Sequence, residues 1–238
     1  MRFLIVDKYR IESAFSRYQS YYTTIIKLQK LTSIINGDFS WLIEIWKHIN
    51  ETKVFAFYGF DAKNRAVLGL QCKNLDPQLI TQIYGVVYDC LAFFDYFYSQ
   101  FQQTKKNGIV WVVDTEGFNY DHFKLVAFNR EFQKLHAKLW CGTVPLTISK
   151  VWVCNESKLI NTAWGIFKPL LTKKLVDRVQ MVGKTTSLIV DDLGGVDFSP
   201  EFLAGGLRQP EKDLDPGTLI LHLLNALPKH FEVNNNLK

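Results

Sequence analysis

Lys168, Lys173, Lys174 and Arg178 place four cations in one short stretch, opposed only by Asp177. On a helix Lys174 and Arg178 stand at i and i+4 and share a face. Arg forks and Lys point charges suit phosphate groups; the same run also reads as a solvated face. Gly183-Lys184-Thr185-Thr186 ends like a phosphate-cradling loop, but the earlier glycine that such a loop needs is replaced by Arg178. Asp114-Thr115-Glu116-Gly117 resembles a nucleotide-switch motif, yet it precedes the Gly-Lys-Thr instead of following it. A nucleotide hydrolase is therefore not expected. Asp114 and Glu116 offer acid–base chemistry at a strand end, or simply hydrogen bonds that hold a glycine turn. His48, His122, His136, His222 and His230 have no metal-ligand spacing, and no Ser or Cys sits in a nucleophile elbow. No catalytic machinery, metal or cofactor is expected.

Composition bounds what these residues can serve. The chain of 238 residues suits one sizeable core with a small appendage. Its 47% hydrophobic and 21% charged residues are ordinary for a folded domain. Aromatics at 14% suit a ring-rich core or the lining of an apolar pocket. A net charge of +5 favours phosphates or anionic membrane surfaces if it is clustered. Cys72, Cys90, Cys141 and Cys154 form no CxxC or metal pattern and fit a reducing compartment. The opening MRFLIVDKYR lacks the apolar run of a signal peptide. Ile83 to Phe101, interrupted by Asp89 and Asp95, falls short of the roughly 20 apolar residues of a spanning helix.

The periodicities predict the scaffold. Ile11 to Leu28 is helical, a turn at Asn36-Gly37-Asp38 follows, and Phe39 to Ile49 is a second helix. Val54–Tyr58 and Val67–Leu70 form a hairpin at a sheet edge. Asp76-Pro77 opens a helix that runs to Phe101. Gly108 to Asp114 is a strand buried on both faces, Asp121 to Leu139 one helix, and Val151 to Cys154 another buried strand. Leu159 to Phe167 is a helix broken at Pro169. Strand, helix, strand, helix implies a crossover-connected α/β sheet. Leu159, Ile160, Ala163, Trp164, Ile166 and Phe167 give that last helix an apolar face wide enough to cover a cavity, or to sit in an ordinary core. Beyond it, Thr172 caps a short helix that packs inward through Leu175, Val176 and Val179. Ser187 to Val190 has the pattern of a strand. The ordered core is expected to end near Leu207 or to continue only as a surface helix.

Gly108-Ile-Val-Trp-Val-Val-Asp114-Thr-Glu-Gly117, Val144-Pro145-Leu146, Val151-Trp-Val-Cys-Asn155, Phe167-Lys-Pro-Leu-Leu-Thr-Lys-Lys174 and finally Gly183 resemble, in order and spacing, the successive signatures of the CRAL-TRIO domain family. The nearest resemblance is to its animal branch of tocopherol and retinaldehyde carriers. Asn64-Arg65-Ala66-Val67 stands where the family has Gly-Arg-Pro-Val, and Ser199 to Gly206 replaces its Leu-Pro-x-x-Tyr-Gly-Gly ending. Met1 to Tyr22 is similar to the last helix of the family's N-terminal helical subdomain, whose earlier helices are expected to be lacking. The resemblance implies three parts: a partial N-terminal helical segment (1–50), the lipid-binding domain (51–207) and a C-terminal tail (208–238).

The implied fold is α/β, with a mixed β-sheet floor, an apolar cavity above it, and a mobile lid helix from Leu159 to Leu171. At Ser187 to Val190 the resemblance implies a helix, against the strand pattern. It implies a cavity lined by Tyr88, Leu91, Ala92, Asp95, Ile109, Val113, Leu146, Val151, Ile160, Trp164 and Leu171. Asp95 departs from this, since an acid in an apolar cavity is costly unless paired; it contacts a polar headgroup or faces outward. Lys168, Lys174 and Arg178 match the family's phosphoinositide-binding positions, whereas Thr147 and Ser149 replace further basic residues there. Lys150 is the available substitute, though alternation turns it away from the face of Ser149. The implied function is non-enzymatic carriage of a small lipophilic ligand of retinoid, tocopherol or phospholipid type, by a cytoplasmic monomer that meets phosphoinositide membranes transiently and binds no nucleic acid. An alternative is a phosphoinositide-binding adaptor with a vestigial cavity.

Overall fold

The structure, a computed structural model, describes residues 2–31, 51–77 and 106–211. The expected helices at Phe39–Ile49 and from Asp76-Pro77 to Phe101 lie largely outside them, as does most of the tail. Five strands form one sheet in the order β1 to β5: β1 (Phe55–Phe60), β2 (Ala66–Gln71), β3 (Ile109–Asp114), β4 (Ile148–Cys154) and β5 (Val179–Met181). β1 and β2 form the expected antiparallel hairpin, with β1 at the edge. The remaining pairs are parallel, which makes the sheet mixed.

The continuous apolar run of β3 places it at the centre, where a parallel strand is covered on both faces. Alternation sends Val110 and Val112 to one side, where Tyr58, Val67, Trp152, Cys154 and Leu203 join them under Ile189 and Leu193 of a helix, α7 (Ser187–Leu193). The strand pattern of Ser187 to Val190 is thus overturned. Burial there recurs four residues apart, at Ile189 and Leu193, while Leu188 is 57% exposed. Gly194, at φ +102°, ends the helix in the left-handed region.

The hairpin is clamped to α7 by charge. Arg65 pairs with buried Asp61 at 2.6 Å and with Asp192 at 3.1 Å, and Trp152 Nε1 donates to Asp192 at 2.9 Å. Burial alone would raise the Asp192 carboxyl, but the hydrogen bonds from Lys63 and Trp152 and the nearby charge of Arg65 hold it below its ordinary value. The backbone stays tied past Leu207: Arg208 bridges Pro200, and Glu211 N–H donates to Phe57 O at 2.8 Å.

On the N-terminal side, α1 (Arg2–Val6) and α2 (Ile11–Leu31) are joined by a turn around Asp7. Asp7 is buried and accepts from Arg17 at 2.7 Å and from Ser13 at 2.9 Å. Burial raises its pKa, but those hydrogen bonds and the charges of Arg17 and Arg10 overcome this and hold it below the ordinary carboxylate value. Arg17 also donates to Val144 O, and Ser20 and Thr143 share a hydrogen bond at 3.1 Å, which docks α2 on the domain.

The single helix expected from Asp121 to Leu139 is two: α3 (Tyr120–Phe128) and α4 (Arg130–Lys138). Asn129 leaves helical backbone angles and caps α4 by accepting from Phe132 N–H, since a short amide side chain competes with the helix ladder. A wide π turn, Leu139–Thr143, then leads towards β4.

Gly108 enters β3 at φ +78°, and a Cβ there would lie 2.4 Å from the carbonyl oxygen of Thr147. Gly108→Ala should therefore cost roughly 2–4 kcal/mol, combining left-handed backbone strain with a displaced β4 entry. A urea unfolding midpoint indistinguishable from wild type would refute this reading of the junction.

Candidate functional site

The second face of the sheet is built differently from the first. Register and alternation put Phe55, Leu70 and Val113 in one row and Trp111 beside Val151 in the next. Above them sit α4, the π turn and the end of α5 (Lys158–Phe167), joined through rings. Phe55 and Trp111 have centroids 5.0 Å apart, Trp111 and Trp140 5.2 Å, Trp140 and His136 5.7 Å, and His136 and Phe167 5.9 Å. Yet Leu70, Val113 and Val151, all on interior strands, keep part of their surface accessible. An interior strand normally buries such residues fully. This face is apolar and incompletely filled by the described residues.

Seven of the implied cavity positions fall among the described residues. Ile109 is fully buried at the start of β3 and Leu146 lies buried before β4, whereas Val113 and Val151 are the partly accessible positions just described. Ile160 and Trp164 are half-buried on α5, with Ala163 as its buried contact. Leu171 follows the 3-10 turn Lys168–Leu170, which ends α5 at Pro169. Tyr88, Leu91, Ala92 and Asp95 lie outside the described residues. Ser157 caps α5 by accepting from Ile160 N–H at 3.4 Å. Ile166 and Leu170 are each 41% exposed at its far end, so the wide apolar face is only partly covered.

His136 carries no expectation in the pattern, yet it stands in the middle of these rings. Its Nδ1 is buried and has no hydrogen-bonding partner among the described residues, and burial pushes the ring down to about 4. Isolated histidines give no periodic or motif signal, so only tertiary placement reveals it.

The basic stretch is partly rearranged. Thr172 has extended backbone angles before α6 (Lys173–Val176), but its side chain makes no cap; its N–H donates instead to Cys141 Sγ at 3.3 Å. Of the inward residues, Leu175 is buried, while Val176 and Val179 are half-buried. Lys174 and Arg178 do come together. Lys168 is exposed on the 3-10 turn. The Lys174 ammonium is held below its ordinary value by partial burial first, then by the positive charges of Arg178, Lys8, Arg17 and Arg10. The cation cluster thus includes Arg17 of α2 and Lys8 and Arg10 of the turn before it, a long-range meeting that local spacing does not record. Arg178 is already partly committed, since its Nη1 donates to Ile148 O. Lys150 lies over the Trp152 ring at 4.4 Å, on the face that carries Val110 and Val112.

The competing chemistries have structural uses. Asp114 is buried and accepts from Glu116 N–H at 3.0 Å and from Asn155 Nδ2 at 2.9 Å; Glu116 is exposed, near Lys73 at 3.7 Å. The acid therefore holds the turn before Gly117. Burial, aided by the charge of Asp114, pushes the Cys72 and Cys154 thiols up to about 12, far from thiolate chemistry at neutral pH. Among the described residues no cluster of His, Cys, Asp or Glu could hold a metal ion, and no helix is long and apolar enough to cross a membrane.

Residues 50–192 match the CRAL/TRIO domain family, and the chain belongs to that family. Its class is a lipid-binding and lipid-transfer domain, and its mixed sheet flanked by helices is the fold of that class. Among solved structures it is similar to one described as the crystal structure of Sfh5, at 11% identity and a TM-score of 0.49, covering 94% of this chain and 78% of that one.

The buried neutral imidazole makes a pH prediction. Its folded pKa, about 4, lies below the ordinary 6.5, so its contribution is intact above pH 6.5 and is lost as pH falls from 6.5 towards 4. Between pH 7.5 and 4.5, wild type should lose on the order of 1–3 kcal/mol more stability than His136→Phe. Parallel urea midpoints for the two proteins across that range would contradict this.

Proposed function

We propose that the protein is a non-enzymatic carrier that binds a small hydrophobic ligand, of retinoid, tocopherol or phospholipid type, between the second face of its sheet and α5, and exchanges it at phosphoinositide-containing membranes. The observation that carries the reading is the accessible apolar surface of Leu70, Val113 and Val151 on interior strands. Ile109, Leu146, Ile160, Trp164 and Leu171 are proposed as lining, together with Val113 and Val151 and with Tyr88, Leu91, Ala92 and Asp95. Membership of a lipid-binding family supports the ligand class.

For the membrane half, Lys174 and Arg178 with Lys8, Arg10 and Arg17 supply clustered positive charge, and exposed Lys168 lies at the end of the proposed lid. Like charges held together weaken one another, so a polyanionic headgroup that pairs with them is favoured. Asp7 takes up part of the Arg17 charge, which makes the site a partial one.

Lipid extracted from protein purified out of cells, identified by mass spectrometry, should contain one dominant lipophilic species in near-stoichiometric amount. Protein that carries no lipid and takes up no retinoid, tocopherol or phosphatidylinositol would end the carrier reading; an adaptor with a filled cavity would behave so while still binding phosphoinositide vesicles.

Lys168→Ala with Lys174→Ala removes two exposed cations that make no fold-holding hydrogen bond. At about 1 kcal/mol per cation near an anionic surface, the pair should weaken binding to phosphatidylinositol bisphosphate vesicles about thirtyfold. Unchanged vesicle binding would remove this membrane site.

A further inference from the structure

His136 stands on α4 among aromatic rings, with centroids 5.0 Å from Phe132, 5.7 Å from Trp140 and 5.9 Å from Phe167 at the end of α5. A neutral imidazole carries one N–H and one bare lone pair, and each looks for a partner. His122 shows how this chain satisfies a structural histidine: its Nε2 donates to Leu75 O at 2.8 Å, and its Nδ1 accepts from Asn119 N–H at 3.2 Å. His136 has no such arrangement. Its Nδ1 is enclosed without a partner, no hydrogen bond among the described residues reaches the ring, and the residue as a whole stays partly accessible.

Orphaned buried N–H groups are rarer than orphaned acceptors. By the same preference we assign the lone pair to the enclosed Nδ1 and the proton to Nε2, which no described residue engages. That Nε2–H, on an aromatic wall and in a residue that stays partly accessible, has no partner among the described residues. A ligand that brings the missing oxygen supplies one.

We propose that His136 is the polar anchor of the ligand site, its Nε2–H donating to one neutral oxygen of the cargo, an alcohol, aldehyde or ester carbonyl, and so selecting lipids of that class over hydrocarbons and ionised fatty acids. The inference rests on the carrier reading above. Discrimination against a carboxylate follows from charge. Burial keeps the ring neutral at pH 7, so it offers an ionised headgroup no counter-charge in apolar surroundings.

The test uses the full chain and two probes of matched length, 12-(1-pyrenyl)dodecanol and 1-dodecylpyrene, followed by pyrene fluorescence. The ratio of alcohol to hydrocarbon affinity in wild type should exceed that in His136→Phe about fivefold, one hydrogen bond's worth. His136→Gln, which keeps an N–H donor, should recover part of the difference. The ¹⁵N shift of His136 Nε2 in wild type should move with the alcohol and not with the hydrocarbon, a readout that does not depend on any variant folding. A ratio unchanged in His136→Phe, or an Nε2 signal indifferent to the alcohol, overturns the anchor while leaving the carrier reading intact if both probes bind. A folded wild type that binds neither probe overturns both.

Discussion

An interior strand flanked by parallel neighbours and apolar along its whole length tolerates no wet face, so β3 must be covered on two sides. This chain meets the requirement unequally. On one side α7, Leu203 and the hairpin residues close tightly over Val110 and Val112, both fully buried. On the other, the cover is α4, the π turn and α5, joined by separated ring contacts, and Leu70 and Val113 keep accessible surface. The asymmetry explains why the charged clamp Asp61–Arg65–Asp192 sits on the first side. The clamp ties the hairpin to α7 on that closely packed face.

The N-terminal helices contribute through electrostatics as much as packing. Asp7 is enclosed and ionised, and its partners Arg17 and Ser13 come from α2, so the turn between α1 and α2 has a single geometry. Arg17 in turn reaches the carbonyl of Val144, just before β4. A buried carboxylate paired in this way is costly to break. Lys8 and Arg10 flank Asp7 in sequence and are carried with it to the neighbourhood of Lys174. A charge cluster drawn from residues so far apart along the chain depends on that one buried pair.

How much of this was legible in the sequence follows the range of the interactions involved. The strands β1 to β4, the helix α2 and the helix before Pro169 are written in local periodicity and turn chemistry, and they are found close to the expected limits. The order of the family signatures was legible too, because short motifs at fixed spacing survive without tertiary knowledge. Three local readings failed, two of them for identifiable reasons. Asn129 splits a helix because its side chain outcompetes one turn of ladder. Ser187 to Val190 is helical because burial four residues apart, seen only when Leu193 is included, outweighs β-branched propensity. Thr172 has the extended backbone of a cap, yet its side chain accepts no hydrogen bond from the helix. The site itself was legible only where it follows strand alternation. Lys8, Arg10 and Arg17, near Lys174, and His136, near Phe167, enter the candidate site only through contacts between distant segments.

The two halves of the site meet at one short piece of chain. The 3-10 turn Lys168–Leu170 connects α5, which closes the apolar face, to α6, which carries Lys174. Pro169 fixes part of that turn, and the Thr172 N–H to Cys141 contact ties its far end to the π turn beside His136. Lys168 is thus adjacent to Phe167, the ring that packs on His136, and Lys174 follows within a few residues. In the proposed mechanism, an anionic surface pulling on the cations works against the same contacts that cover the ligand. Any coupling between headgroup and cargo is reciprocal, since a binding free energy shared between two sites acts equally in both directions. A cargo oxygen on His136 would then hold Phe167 and the end of α5 in place, and so oppose the opening that the membrane favours.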